Sequence, residues 1–420
     1  MNEYEIRDIA LAPSGRQRIE WVRHNMPLLT GLKEKYGSLP ESEKPFRGVR
    51  ISLSIHLEPK TAYLCETLAA AGASMSVTGC NPLSTQDDTA AALADEGMRV
   101  YAIHGEDEAD YFRHIEMALE HRPHIVIDDG GDLAACLHGK RPDLAEEVRG
   151  GGEETTTGIL RLRALAADGR LKYPVVAVND ARCKHLFDNR YGTGQSVWDS
   201  ILRNTNLIVA SKTVVVAGYG WCGRGIALRA SALGASVVVT EIDPVKAIEA
   251  RMDGYQVMTM YAAAPLGDIF ISATGCKDVI MLEHMALMKD RVILANAGHF
   301  NVEVDVKGLE EKAERSYEAR GNIMAYVLPG GKTVHVMAEG RLVNIAAADG
   351  HPAEIMDMSF AVQFLSALYI QRHHRELPKN VVDVSAEIDT LIAEHKLAAW
   401  GVEIDKLTPE QERYLSSWEL

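Results

Sequence analysis

From about residue 49 onward, short apolar runs rich in Val and Ile alternate with Ala-rich stretches whose apolar positions recur at helical spacing. Val49–Ile55, Ser74–Thr78, Arg99–Ile103, His124–Asp129 and Tyr173–Val178 read as strands, and 59–72, 87–97 and 107–121 as helices between them. That alternation predicts a parallel α/β layer. Residues 1–45 read as a polar helical lead-in, and Gly150-Gly-Gly as a loop. A helix over 192–210 leads into a second series of strand-like runs at 213–217, 236–240, 268–272, 291–295 and 333–337, punctuated late by a Gly330-Gly331 turn. A long apolar helix over 353–372 is expected to return to the first layer, followed by a helical, charged tail. The expected fold class is α/β, with two doubly wound parallel-sheet domains and a helical C-terminal extension.

The second series opens on the most specific motif in the chain. Thr213-Val-Val-Val-Ala runs into Gly218-Tyr-Gly220-Trp-Cys-Gly223, and the next strand-like run ends in Glu241. Strand, G-x-G-x-x-G, helix, strand and acid together form the fingerprint of a Rossmann dinucleotide site. Gly218 permits the tight turn, Gly220 lets backbone approach the pyrophosphate, and Gly223 lets helix and strand pack closely. The helix N-terminus faces the phosphates. Glu241 accepts from the adenosine ribose of NAD and would repel the extra phosphate of NADP. The expected division is a substrate-binding domain of 1–189 and 346–385, an NAD-binding domain of 190–345, and a C-terminal oligomerisation tail of 386–420.

With 44 Lys and Arg against 59 Asp and Glu, a net charge of −15 argues against nucleic-acid or anionic-membrane partners. Charges stand where a signal peptide would need an apolar core, and no apolar stretch is expected to reach membrane-spanning length. Cys65, Cys80, Cys136, Cys183, Cys222 and Cys276 are scattered without a C-x-x-C pair, which suits a reducing cytoplasm and predicts no metal site.

Polar clusters follow the apolar runs, where open parallel sheets bind ligands. They are His56; Asn81 with Ser84-Thr-Gln-Asp87; Asp128-Asp129-Gly-Gly-Asp132; Glu153-Glu154-Thr155-Thr156-Thr157; Lys184 with Asp188-Asn189; Asn296-Ala-Gly-His299; and His351. Each also has a structural reading. A histidine after a strand is commonly a hydrogen-bonder, Asp-Asp-Gly-Gly-Asp is a turn, a threonine caps a helix, and Lys184 and Asp188 at i, i+4 form a helix salt pair.

As an ordered set these strings resemble the S-adenosylhomocysteine hydrolase family. The matches include Asn81-Pro-Leu-Ser-Thr-Gln-Asp87, Asp128-Asp-Gly-Gly-Asp132, Glu153-Glu-Thr-Thr-Thr-Gly158, Phe187-Asp-Asn189, Gly298-His-Phe300, Ala338-Glu-Gly-Arg-Leu-Val-Asn344 and Gly350-His-Pro352, and they cover roughly 50–360. The resemblance implies reversible hydrolysis of a nucleoside thioether to nucleoside and homocysteine, recycling the product of methyl transfer. NAD transiently oxidises the ribose 3′ carbon, which acidifies the 4′ proton and allows homocysteine to be eliminated and water to add. It also implies the roles. Lys184 and Asp188 bind the ribose hydroxyls and assist removal of the 3′ proton, with the Lys184 pKa lowered beside a cationic nicotinamide. Asp129 is the acid/base for the 4′ proton, His56 and His299 flank the 5′ carbon, Glu154 orients hydroxyls, and His351 closes over the base. Thr155, Thr156, Thr157, Asn189, Gly220, Gly223, Glu241, His299 and Asn344 contact NAD. A dimer or tetramer is implied.

Three positions depart from the family pattern. The base-recognition strip reads His56-Leu-Glu58-Pro-Lys60-Thr61, with Lys60 where a Glu is common and Glu58 where a Thr is common. Lys has only donors, which match a 6-oxo purine and mismatch an exocyclic amine, and the Glu58 carboxylate is an acceptor that suits the protonated ring nitrogen of hypoxanthine. The substitution points to S-inosylhomocysteine over S-adenosylhomocysteine; the alternative is that Glu58 and Lys60 pair with each other. Thr193 stands where Cys is common, and the family's Lys- and Tyr-bearing tail is missing after Leu420. Two other activities compete: an NAD-dependent 2-hydroxyacid dehydrogenase and a non-catalytic NAD-sensing regulator.

Overall fold

The computed structural model describes residues 3–418. It contains two eight-stranded sheets. The first runs Tyr4–Ile6, Arg99–Ala102, Ser74–Thr78, Arg50–Ser54, Ile125–Asp128, Gly150–Glu153, Val175–Ala177 and Val381–Asp383, every neighbouring pair parallel. The second runs Gln256–Val257, Ser236–Thr240, Thr213–Ala217, Ile269–Ser272, Val292–Asn296 and Thr333–Met337 in parallel. It ends in the antiparallel strands Ile323–Val327 and Arg315–Arg320. The Gly330-Gly331 turn connects Ile323–Val327 to Thr333–Met337, with both glycines at positive φ.

Three expectations are corrected. The lead-in is not wholly helical: Tyr4–Ile6 forms an edge strand before the helices Ala12–Arg23 and Pro27–Gly37. The Gly150-Gly-Gly stretch is a buried strand, not a loop. Its glycines are there because a helix lies directly on the sheet. A Cβ on Gly150 would sit 2.7 Å from Ile370 Cγ2, and one on Gly152 2.6 Å from Gln363 Oε1. Thirdly, the helix Ala353–His373 is long and apolar enough to cross a membrane by length and composition. It lies inside the first domain instead, 78% buried over its most apolar window. Phe360 and Phe364 are fully covered, and Phe364 meets Phe46 edge-on at 5.6 Å and stacks on Tyr36 at 5.4 Å.

Polar residues in that helix organise what surrounds it. Asp357 accepts from the backbone N–H groups of Leu28 and Leu29, at the start of a neighbouring helix, and from Lys396 Nζ at 2.8 Å. Lys396 belongs to the helix Ala386–Ala399, whose Asp389 accepts from the N–H groups of Arg182 and Cys183. The tail thus pins the short segment that carries Lys184. The last helix, Pro409–Ser416, is exposed throughout.

Lys396 is 2% and Asp357 0% exposed, so removing either charge strands the other. Lys396→Met is expected to lower stability by about 3 kcal/mol, read as a denaturation midpoint shift; an unchanged midpoint would contradict this anchoring.

Candidate functional site

The carboxyl ends of the two sheets face each other, and the polar clusters meet there. Lys184 is buried, with Nζ donating to Asn189 Oδ1 at 2.8 Å and to Asn179 Oδ1 at 3.4 Å. It lies 3.3 Å from Asp188 Oδ2 and 3.6 Å from Glu154 Oε1. Burial opposes the ammonium, but Asp188, Glu154 and Asp129 outweigh it and hold the Lys184 pKa above its ordinary value. The expected lowering is therefore absent in the protein alone, because three carboxylates surround one cation. Asp188 is held well below the usual carboxylate range: burial pushes it up, and Lys184 and His351 pull it down further. It accepts from Ser359 Oγ at 2.7 Å, and His351 Nδ1 lies 2.6 Å away. Burial raises the Glu154 carboxyl against the pull of Lys184. Gln363 donates to Glu154 Oε2 at 2.6 Å, while Oε1 has no hydrogen-bond partner among the described residues.

A second group adjoins it, from the end of the neighbouring strand Ile125–Asp128. Asp129 sits between two histidines, with Oδ2 3.7 Å from His56 Nε2 and Oδ1 3.6 Å from His299 Nδ1. The His rings are 6.2 Å apart, and Cys80 Sγ donates to Asp129 Oδ2 at 3.4 Å. Asp129 is only 3% exposed, and its Oδ1 has no hydrogen-bond partner among the described residues. His56 Nδ1 pairs with Ser84 Oγ at 2.7 Å. His299 comes from the second domain and lies directly over Gly130, where φ is +101° and a Cβ would run into its ring. His56, Cys80 and Asp129 also converge closely enough to hold a metal ion, a grouping the scattered cysteines did not suggest.

In the purine strip the alternative pairing is present: Glu58 and Lys60 bind each other. Lys60 Nζ pairs with Glu58 Oε2 at 2.7 Å and donates to the Asp349 carbonyl at 3.1 Å. Glu58 caps the helix Pro59–Ala70 by accepting from the N–H groups of Lys60 and Thr61. Thr61 Oγ1 donates to the His56 carbonyl, fixing the strip beside the reacting groups.

The glycine turn meets the geometric demands of a dinucleotide. Gly218 has φ +95° and lies against Ala273; a Cβ on Gly223 would strike the Gly218 carbonyl; around Gly220 there is open space. Glu241 accepts from the N–H groups of Tyr219, Ile242 and Asp243, which leaves roughly one of a carboxylate's four lone-pair sites free. Asn344 is buried, with Oδ1 unpartnered among the described residues and Nδ2 donating to Ser196. Thr155 caps the helix Thr156–Ala167, Thr156 Oγ1 accepts from Asn179, and Thr157 faces Gly275 of the second domain. Asn189 is turned to Lys184 and Asn179. These residues fit NAD.

Several residues at the site went unread in the sequence. Ser359 and Gln363 were legible in principle, as polar positions at i, i+4 in an otherwise apolar helix. Asn179 and Cys80 carried no separate signal, and Ser84 stood in its polar cluster without an assigned role. Glu153 accepts from the N–H groups of Gly130 and Thr155 and from Thr155 Oγ1. Glu303 does the same work in the second domain.

Fold and site together define a two-domain α/β enzyme with an NAD domain and an acid–base cleft. Family models described as S-adenosyl-L-homocysteine hydrolase and as its NAD binding domain match residues 3–142 and 189–350. The chain is 55% identical over 415 residues to the S-inosyl-L-homocysteine hydrolase of Methanocaldococcus jannaschii, covering 99% of each chain. It is 54% identical over 417 residues to the adenosylhomocysteinase of Thermococcus kodakarensis, covering 99% of this chain and 98% of the relative. It is 54% identical over 406 residues to that of Thermotoga maritima, covering 97% and 100%. The chain belongs to the S-adenosyl-L-homocysteine hydrolase family. Membership does not favour the 2-hydroxyacid dehydrogenase alternative.

Burial pushes the His56 pKa down from 6.5 to about 4, against the pull of Asp129. The unfolded chain takes up this proton below about 6.5 and the folded protein only near 4, so stability falls as pH drops through that window. His56 should titrate near 4 by NMR, and lower still in Asp129→Asn; an ordinary value near 6.5 would contradict the geometry.

Proposed function

We propose that the protein reversibly hydrolyses the thioether of S-inosyl-L-homocysteine, and less well S-adenosyl-L-homocysteine, to nucleoside and homocysteine. The observation that carries this reading is the meeting of two groups in one cleft: Lys184 with Glu154 and Asp188, and Asp129 between His56 of its own domain and His299 of the second. When bound, NAD supplies transient oxidation and re-reduction of the ribose 3′ carbon. The residues that would hold it are Gly218, Gly220, Gly223, Glu241, Asn344, Asn189, His299 and Thr155 to Thr157.

Asp188 and Glu154 bind the ribose hydroxyls, and Lys184 moves the 3′-hydroxyl proton. The ammonium is stabilised by three carboxylates, so it becomes a base only when positive charge is brought beside it. Asp129, with one oxygen unpaired among the described residues, takes the 4′ proton. His56, neutral at physiological pH, and His299 pass protons between water and the departing thiol at the 5′ carbon. His351, hydrogen-bonded to Asp188 and 3.2 Å from Thr193 Oγ1, closes the site over the base.

Lys60 favours a 6-oxo purine. Two of its ammonium hydrogens are engaged by Glu58 and Asp349; the third has no partner among the described residues and can donate to the oxo group, where an amine would present another donor. Glu58 is committed to Lys60 and to the helix cap, so discrimination rests on Lys60 alone. An unpaired buried donor costs about 1–3 kcal/mol, a preference of roughly tenfold.

Self-association as a dimer or tetramer is supported by the exposed Leu407, Tyr414, Leu415 and Trp418 of the tail. Six unpaired cysteines support a cytoplasmic location. Recycling of a methyl-transfer product follows from the substrate.

Lys184→Met should lower turnover by at least about 10²-fold while NAD binding persists; undiminished turnover would remove Lys184 from its role. In parallel kinetics kcat/KM should be higher for the inosyl substrate, and an adenosyl value equal to or above it would sink the purine assignment.

A further inference from the structure

We infer that Glu303 is a positioning residue that clasps the cofactor loop to the loop bearing His299. Glu303 is 1% exposed. Its Oε2 accepts from Thr274 N at 3.0 Å and Thr274 Oγ1 at 2.7 Å, and its Oε1 from Gly275 N at 2.8 Å. Its carbonyl accepts from Val279 N and Ile280 N, both at 2.9 Å. One residue therefore holds the segment 274–280 through side chain and main chain together. That segment forms one wall of the cofactor cradle: a Cβ on Gly218 would lie 2.8 Å from Ala273 O and 3.1 Å from Thr274 Cγ2. It also meets the other domain, where Thr157 Oγ1 lies 3.9 Å from a Cβ placed on Gly275.

The other end of the clasp is the His299 loop. Gly298 packs so closely on Glu303 Oε1 that any side chain there would collide with the carboxylate. Asn296 fixes the rest of the loop, accepting from Gly298 N at 2.7 Å and donating to the Phe300 carbonyl at 2.9 Å. Burial pushes the Glu303 carboxyl up, and the bonds from Thr274 and Gly275 pull it back. The first domain repeats the device. Glu153 accepts from Gly130 and Thr155 and packs against Gly158, which likewise has no room for a Cβ. Each domain thus carries a buried glutamate, a facing glycine and two cleft loops held together.

The inference rests on the proposed function only for the role of His299; the cradle geometry stands without it. In Glu303→Gln the amide NH₂ must face one of the two backbone N–H donors, so one loop bond is lost. Gly298→Ala displaces the same carboxylate sterically. Both variants of the full-length protein are expected to bind NAD about tenfold more weakly or worse by calorimetry. Both should show lower kcat with little change in nucleoside KM, and faster amide exchange at 274–276. The melting temperature without NAD should stay close to wild type. The double variant should be no worse than the poorer single variant, because both break one contact. Wild-type NAD affinity in both variants would overturn the inference, as would a loss of affinity matched by an equal loss of NAD-free stability. If Glu303→Gln does not fold, Gly298→Ala decides alone. If the wild type turns over no nucleoside thioether, the functional reading fails, and the NAD affinities still decide the clasp.

Discussion

The structure depends on the way charge is kept in a cleft that excludes water. Lys184 is surrounded by Asp188, Glu154 and Asp129, all nearly fully buried. Buried charges persist only when paired and hydrogen-bonded, and much of the surrounding architecture supplies those partners. Ser359 and Gln363 reach in from the long buried helix, Asn179 and Asn189 hold the ammonium, and Asp389 of the tail helix fixes the backbone beside it. The same constraint explains the poise of the site. A lysine held this firmly as an ammonium is not a base in the protein alone, and a positive charge brought against it changes that.

The second constraint is closeness of backbone. Glycines stand wherever two elements must touch without a side chain between them. Gly150 and Gly152 lie under the long helix, Gly130 under His299, Gly223 against Gly218, and Gly158 and Gly298 against buried glutamates. These contacts bring His299 from one domain within 3.6 Å of Asp129 in the other. The cleft groups operate as one site because the loops that carry them are pinned from behind.

Much of this was legible in the sequence. The Val- and Ile-rich runs marked the central strands of both sheets, and the glycine turn with Glu241 marked the cofactor cradle, because both signals are local. What escaped was non-local. Gly150–Glu153 looked like a loop because its glycines are explained only by a helix two hundred residues away. Tyr4–Ile6 and Val381–Asp383 are strands only because sheet edges receive them. The apolar spacing of Ala353–His373 marks a helix, yet its membrane-like composition is explained only by the core around it. At the site, Lys184, Asp188, Asp129 and the histidines stood out as polar residues after strands. The pairing of Glu58 with Lys60 is one of two arrangements the sequence allows, since sequence carries no distances.

The central claim is that the cleft performs a redox-neutral hydrolysis on a nucleoside thioether. The most direct measurement follows free thiol and nicotinamide absorbance together while the NAD-loaded protein turns over S-inosyl-L-homocysteine. The account predicts many equivalents of homocysteine per protein with no net gain of NADH. Reduced nicotinamide accumulating in step with product, or no thiol released at all, would contradict it.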